Sequence, residues 1–390
     1  MRLRQLYIPV ILVILFSACV NSKKISRQII RNITTDTLLK NAHIGICIWD
    51  TKDNCFVTKY NSDKYFVPAS NVKIVTLYAA LKYLPDTLPS FDYYQTPDTI
   101  FIIPKGDPTF LDTNFSNHAG FEFLKREGKP VIILPAKWET EIYGKGWAWD
   151  DYGNSYIPEK SSFPIGKKFM KKQNAGQEIV FPSIQNLSDS IARILSDTLH
   201  LPVITREYSR NFNEKPKTLS STLRDSACKK MMFRSDNLIA EQLLLMVSNQ
   251  LFGSMNETSV IKKLLSDSML QFTQKPVWVD GSGLSRYNLF TPEDMVFLLE
   301  KLENQFGSDH IKKIFPSGNE GTLKGYYDDK ANFIYAKTGT LSGQIALSGY
   351  LKTKSNKSLI FSFLINNHTG QSSQVRKKVA EYIDWIWRKY

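Results

Sequence analysis

Residues Pro68-Ala69-Ser70-Asn71-Val72-Lys73, running on through Ile74 to Leu84-Pro85, decide how this chain is read. Apolar positions Val72, Val75, Leu77, Ala80, Leu81 and Leu84 recur at helical spacing, and Pro85 ends the run. Ser70 therefore opens a helix, and the S-x-x-K spacing puts its hydroxyl on one face with the Lys73 ammonium. A serine hydroxyl is a weak nucleophile until a base takes its proton. Lysine can be that base when burial or a second cation disfavours its charged form. Alone the pattern is weak, because Ser226-Ala227-Cys228-Lys229 repeats it in what reads as an ordinary helix segment.

Two downstream tripeptides change that. Ser235-Asp236-Asn237 occurs once, before Leu238-Ile239-Ala240-Glu241, where by itself it would be a helix cap. Lys337-Thr338-Gly339 also occurs once and by itself would be a strand ending in a glycine turn. S-x-x-K, S-D-N and K-T-G, in this order and on helix start, inter-helix loop and strand, resemble the signature of penicillin-recognising serine enzymes. The flanking stretches resemble the penicillin-binding protein 4 family of D-alanyl-D-alanine carboxypeptidases and endopeptidases. They are Pro68 to Thr76, Arg234 to Glu241, Asp280 to Arg286, Glu320-Gly321-Thr322-Leu323, Ala336 to Gly343, Gly106-Asp107-Pro108 and Gly146 to Asp151. The likeness runs from about residue 40 to 370. The interval between Ser70 and Ser235 is shorter than in larger family members, so accessory domains should be reduced.

The resemblance implies a β-lactamase/transpeptidase-like fold and an acyl-enzyme mechanism without metal or organic cofactor. On it, Ser70 attacks the carbonyl of a D-alanyl-D-alanine bond, Lys73 takes the proton, and nearby Lys337 disfavours a charged Lys73. Ser235 relays a proton to the departing amine, and Asn237 hydrogen-bonds the amide side of the substrate. Lys337, Thr338 and Thr340, with Gly339 between the threonines, suit the terminal carboxylate by offering a cation and two hydroxyls. The backbone N–H groups of Ser70 and Thr340 form the oxyanion hole, where one lost donor typically costs about 10²–10³ in rate. Asp236 shapes its turn. The implied partners are peptidoglycan stem peptides and, as covalent inhibitors, β-lactam antibiotics. The rivals are a β-lactamase or esterase on the same fold and a silent wall-binding lipoprotein. A class A lactamase needs a deacylating Glu, and Ser266 to Pro276 contains none.

The residues outside the motifs fit an α+β chain. His43 to Trp49 and Cys55 to Tyr60 read as a hairpin; Asn332 to Thr340, Ala346 to Thr353 and Leu359 to Asn366 read as three strands, and Ser372 to Arg388 as an amphipathic helix. Strands at both ends predict one sheet shared by the N- and C-terminal segments. Thr291 caps a helix beginning at Pro292. Short strands at Thr99 to Ile103, Val131 to Leu134 and Glu178 to Phe181 mark an inserted region, 92–217, between catalytic segments 36–91 and 218–390.

Arg2 and Arg4, an apolar run from Leu6 to Phe16, and Leu15-Phe16-Ser17-Ala18-Cys19 resemble a lipoprotein export signal over residues 1–18 with Cys19 as the lipidated residue. That run is too short to span a roughly 30 Å hydrocarbon core. Residues 19–35, with Lys23, Lys24, Arg27 and Arg31, read as a polar tether, placing the protein in the cell envelope, facing the periplasm, on a membrane anchor. The charge of +13 would otherwise suggest nucleic acid, which export argues against. With 42% hydrophobic and 12% aromatic residues the chain is not disordered, and 4 Cys without a C-x-x-C pair make neither a disulfide scaffold nor a Cys-based zinc site. Cys47 and Cys55 flank the hairpin turn and are either bridged across it or two reduced thiols.

Overall fold

The structure, a computed structural model, describes residues 24–165, 184–207, 212, 214–267, 270 and 272–390. The export signal, Cys19 and the strand expected at Glu178 to Phe181 lie outside them. In chain order the first half carries α1 (24–35), β1 (His43–Asp50), β2 (Cys55–Tyr60), α2 (Lys73–Tyr83), β3 (Thr87–Gln95), β4 (Ile100–Pro104), α3 (Ala119–Glu127), β5 (Val131–Ile133), α4 (Ile184–Leu199) and β6 (Val203–Thr205). The second half carries β7 (Lys217–Leu223), α5 (Arg224–Arg234), α6 (Asn237–Phe252), α7 (Glu257–Leu265), α8 (Pro292–Phe306), α9 (Ser308–Ile314), β8 (Ile334–Leu341), β9 (Gln344–Lys352), β10 (Ser358–Asn366) and α10 (Ser372–Lys389). Among the described residues no helix is long and apolar enough to cross a membrane.

The chain divides into two compact units. The first holds the residues up to Asn71 together with Phe272–Val277 and Asn288–Tyr390. Its antiparallel sheet runs in the order β2-β1-β10-β9-β8, so the expected sharing between chain ends is met by β1 pairing along its length with β10, from His43 opposite Asn366 to Asp50 opposite Leu359. Period-2 alternation sends successive side chains of each strand to opposite faces of the sheet. Ile44, Ile46 and Ile48 join Phe361, Phe363 and Ile365 on the face covered by α1 and α10. On the opposite face α8 packs, its start fixed by a reciprocal cap in which Thr291 and Asp294 each accept a backbone N–H. Glu300 of α8 accepts from the Trp49 indole at 3.1 Å.

Residues 24–35 correct the tether reading. Ile25, Ile29 and Ile33 recur every four residues along α1 and are buried in the sheet core, each burial contributing about 1.5–3 kcal/mol. Lys24, Arg27 and Arg31 occupy the outer face of that helix. Cys47 stands opposite Lys59 and Cys55 opposite Asp50, so the two thiols are not cross-strand partners and the bridge between them is ruled out.

The second unit holds Val72–Gln271 and Trp278–Tyr287. Its sheet, β6-β5-β4-β3-β7, is parallel from β4 through β6, with α3 and α4 as the crossovers, and antiparallel around β3. This sheet begins at Thr87 and ends at Leu223, outside 92–217 on both sides. Pro89 interrupts the register of β3, which hides the strand from its alternation. Around α6 nearly every side from Ile239 to Ser248 is buried, as in a helix central to its unit.

Candidate active site

The chain passes from one unit to the other between Asn71 and Val72, so the residues singled out above fall into two groups. In the first unit Ser70 sits in a 3-10 turn, Ala69–Val72, that runs directly into α2. Ala69 holds φ at +47°, a left-handed conformation that a side chain disfavours. The surroundings enforce it. Asn71 is fully buried and its Nδ2 donates to the Lys337 carbonyl at 2.9 Å, tying the turn to β8. A Cβ on Gly339 would stand 2.8 Å from the Pro68 carbonyl oxygen and 3.2 Å from Ala69 Cβ, so only glycine permits this approach. The K-T-G strand and the Ser70 turn are thus in contact through backbone.

Alternation along β8 then sorts the remaining residues. Lys337, fully buried with Nζ on the Thr338 carbonyl at 2.7 Å, shares the Gly339 face, toward the Ser70 turn. Thr338 and Thr340 point to the opposite face, where α10 lies: the Thr340 hydroxyl accepts from Arg376, and Thr338 lines a cleft with the same arginine. The cation and the two hydroxyls grouped from the sequence therefore stand on different faces of the edge strand of the sheet.

In the second unit Lys73 is fully buried at the start of α2. Its Nζ donates to Asn237 Oδ1 and to the Ser282 carbonyl, both at 2.6 Å. Asn237 Nδ2 donates to the Tyr156 carbonyl at 2.7 Å, so both ends of this amide are engaged inside the protein, unlike the substrate contact expected for it. Ser235 terminates α5 in a left-handed conformation, φ +54°, and Asp236 caps α6 by accepting from the Ile239 N–H. The turn role foreseen for Asp236 is the observed one. Ser226 to Lys229 lies within α5.

Sequence reasoning missed the support beneath Lys73. The buried Glu241 carboxylate accepts from the N–H groups of Gly281, at 3.2 Å, and Ser282, at 2.8 Å. Asp280 accepts from the Gly283 and Ser285 N–H groups and from the Trp147 indole, at 2.8, 2.6 and 2.9 Å. Thr76 donates to the Gly281 carbonyl at 2.6 Å. Two buried acids thereby fix the turn that offers the Ser282 carbonyl to the ammonium. Burial, reinforced by the Asp280 charge, pushes the Glu241 carboxyl up to about 7. The only signal in the sequence was that Glu241 and Asp280 to Arg286 stand in stretches carrying the family resemblance.

The model of the D-Ala-D-Ala carboxypeptidase 3 (S13) family matches residues 26–189 and 216–388. The D-alanyl-D-alanine carboxypeptidase DacB of Haemophilus influenzae is 30% identical over 297 residues, 69% of this chain and 60% of that protein, so the match spans well under two thirds of its length. Among solved structures, penicillin binding protein 4 (dacB) from Haemophilus influenzae superposes with a TM-score of 0.73 at 19% identity over 92% of this chain and 98% of that one. A predatory peptidoglycan endopeptidase from Bdellovibrio bacteriovorus follows with a TM-score of 0.60 at 16% identity, covering 89% and 93%. At these identities the structural likeness establishes the shared α+β fold.

Proposed function

Since the chain belongs to the D-Ala-D-Ala carboxypeptidase 3 (S13) family, we propose that it is a serine-type DD-carboxypeptidase/endopeptidase acting on peptidoglycan stem peptides through an acyl-enzyme on Ser70. The observation that carries this reading is the environment of Lys73. It lies three residues beyond Ser70 on a continuous helical run, fully buried, with its Nζ fixed between Asn237 Oδ1 and the Ser282 carbonyl.

In the proposed reaction Ser70 Oγ attacks the carbonyl carbon of a D-alanyl peptide bond while Lys73 accepts the hydroxyl proton. General-base action requires a neutral Lys73 at that moment. The N–H groups of Ser70 and Thr340 stabilise the tetrahedral oxyanion. As the C–N bond breaks, Ser235 passes a proton to the departing amine, and water then cleaves the ester to restore Ser70. Asn237 acts by holding Lys73, and Lys337 by its charge along β8. β-Lactams would enter the same route and stop at the acyl-enzyme. We further infer that Cys19 carries a lipid that anchors the protein in the envelope, facing the periplasm.

The test is covalent labelling of the chain from residue 20 onward with a fluorescent penicillin, beside Ser70→Ala, read by gel and intact mass. A stable adduct on the wild type alone is expected, with D-alanine release or cross-link cleavage from purified muropeptides. Neither adduct nor cleavage would sink the proposal. For the anchor, Cys19→Ala should move the protein from the membrane fraction to the soluble one.

A further inference from the structure

The second S-x-x-K, Ser226 to Lys229, has no part in the reaction proposed above, yet its face of α5 has a setting of its own. Ser226, Lys229, Lys230, Phe233 and Arg234 recur at helical spacing and form one wall of a cleft of about 540 Å³. The rest of the lining comes from Asn114 to Asn117 and from Thr222 and Leu223 at the end of β7, all within the second unit. None of these lining residues is acidic. Lys230 is engaged inside the protein, pairing with Asp112 at 2.9 Å. Lys229 and Arg234 are exposed, and among the described residues no carboxylate stands within ion-pair distance of either. Lys229 Nζ lies 4.8 Å over the Phe233 ring, and Arg234 donates to the neutral Asn114 amide at 2.9 Å. Thr222 is 5% exposed, and its hydroxyl is buried without a hydrogen-bond partner. Two uncompensated cations and an unused hydroxyl in a concave, acid-free lining suit an oxyanion.

We propose that this cleft is an accessory site of the second unit that binds carboxylates of peptidoglycan stem peptides, separate from the residues that react. The inference deepens the peptidoglycan reading above and rests on it for the identity of the ligand. A polymer of stem peptides presents many carboxylates at once. α5 leads from Arg234 in the cleft straight to Ser235, so a polymer engaged here is held next to the S-D-N loop. A membrane surface fits this lining less well. Anionic lipid is met by clusters of roughly 4–8 basic side chains, whereas the cleft has Lys229, Lys230 and Arg234, and the second of these is already paired with Asp112.

The experiment is co-sedimentation with insoluble peptidoglycan free of phosphate polymer, using the chain from residue 20 onward with Ser70→Ala so that nothing is cleaved. In this background Lys229→Glu is compared with Lys313→Glu, the same charge change at an exposed position of α9 in the first unit. Lys229→Glu should weaken binding by about 3- to 10-fold, as for reversal of one exposed ion-pair partner. Lys229→Gln should weaken it less, and Lys313→Glu should leave it unchanged. Amidating the polymer's carboxylates with a carbodiimide and ammonia should abolish the advantage of Lys229 over its glutamate variant. Absence of binding, equal losses in Lys229→Glu and Lys313→Glu, no loss in the former, or indifference to amidation would overturn the site. So would sedimentation with phosphatidylglycerol vesicles in place of peptidoglycan. With Ser70 restored, Lys229→Glu should take up fluorescent penicillin at the wild-type rate; a slower rate would place Lys229 in the reacting machinery and refute a separate site. Lys229-dependent binding by a protein that neither takes up penicillin nor releases D-alanine would leave the accessory site standing and discard the acyl-enzyme reading.

Discussion

Gly339→Ala probes whether the contact between the K-T-G strand and the Ser70 turn sets the rate of acylation. The added Cβ would sit 2.8 Å from the Pro68 carbonyl oxygen and 3.0 Å from Ala346 Cβ. The first distance is about half an ångström short of ordinary contact. Neither neighbour is the end of a flexible side chain: Pro68 O is backbone, and Ala346 stands opposite Gly339 in the β8–β9 ladder. Relief therefore requires the turn to move off β8, against the Asn71–Lys337 hydrogen bond that holds it there. Overpacking of this kind costs about 1–3 kcal/mol. A shift of about half an ångström at a nucleophile and its oxyanion donors should slow acylation by about 10- to 100-fold, given that a 1 Å misplacement can cost about 10²-fold. The assay is the second-order rate of fluorescent penicillin labelling, with a thermal melt on the same sample to confirm folding. A variant that labels at the wild-type rate would show that this close approach does not position the nucleophile.

Three other outcomes follow from the described contacts. Lys73→Met keeps a side chain of similar length in a fully buried position but removes the base, so penicillin labelling should fall by about 10²–10⁴; labelling within tenfold of wild type would remove Lys73 from the chemistry. Glu241 has its carboxyl raised from 4.5 to about 7 by burial and then by Asp280, so the folded protein binds more protons than the unfolded chain across that window. Its contribution is greatest at and below pH 4.5 and is lost as pH rises through about 7, on the order of 3 kcal/mol; thermal midpoints at pH 5 and 8 should fall less in Glu241→Gln than in wild type, and parallel profiles would refute this. Burial pushes the Cys228 thiol up to about 12 and the Cys47 thiol upward as well, so neither should be alkylated by iodoacetamide at pH 8 until the protein is unfolded, whereas half-buried Cys55 should react first; peptide mass mapping separates the three.

What the sequence disclosed was local. The hairpin at His43 to Tyr60, the cap at Thr291 and the three closing strands each carry their signal in a short contiguous stretch, and the structure has them there. The S-x-x-K, S-D-N and K-T-G motifs were legible for the same reason: each is a short run placed on one turn or strand. What escaped depends on partners far along the chain. α1 carries three isoleucines at one repeat, yet its charges read as tether because the sheet that buries them starts later. Glu241 looked like the fourth residue of a helix until Gly281 and Ser282 arrived as its donors. Arg376 belongs to no motif, and only the strand alternation that turns Thr340 toward α10 brings its guanidinium to that hydroxyl.

The pairing of β1 with β10 joins residues more than three hundred positions apart, and this has a consequence for how the chain is made. β1 has β2 on one side but no neighbour on the other until nearly the whole polypeptide is available, and contacts of such long sequence separation form slowly. The second unit is drawn almost entirely from Val72–Gln271, so its sheet and helices can assemble while the first strand still waits. A chain cut short before Ser358 should accumulate an ordered second unit attached to a hairpin with no sheet to join.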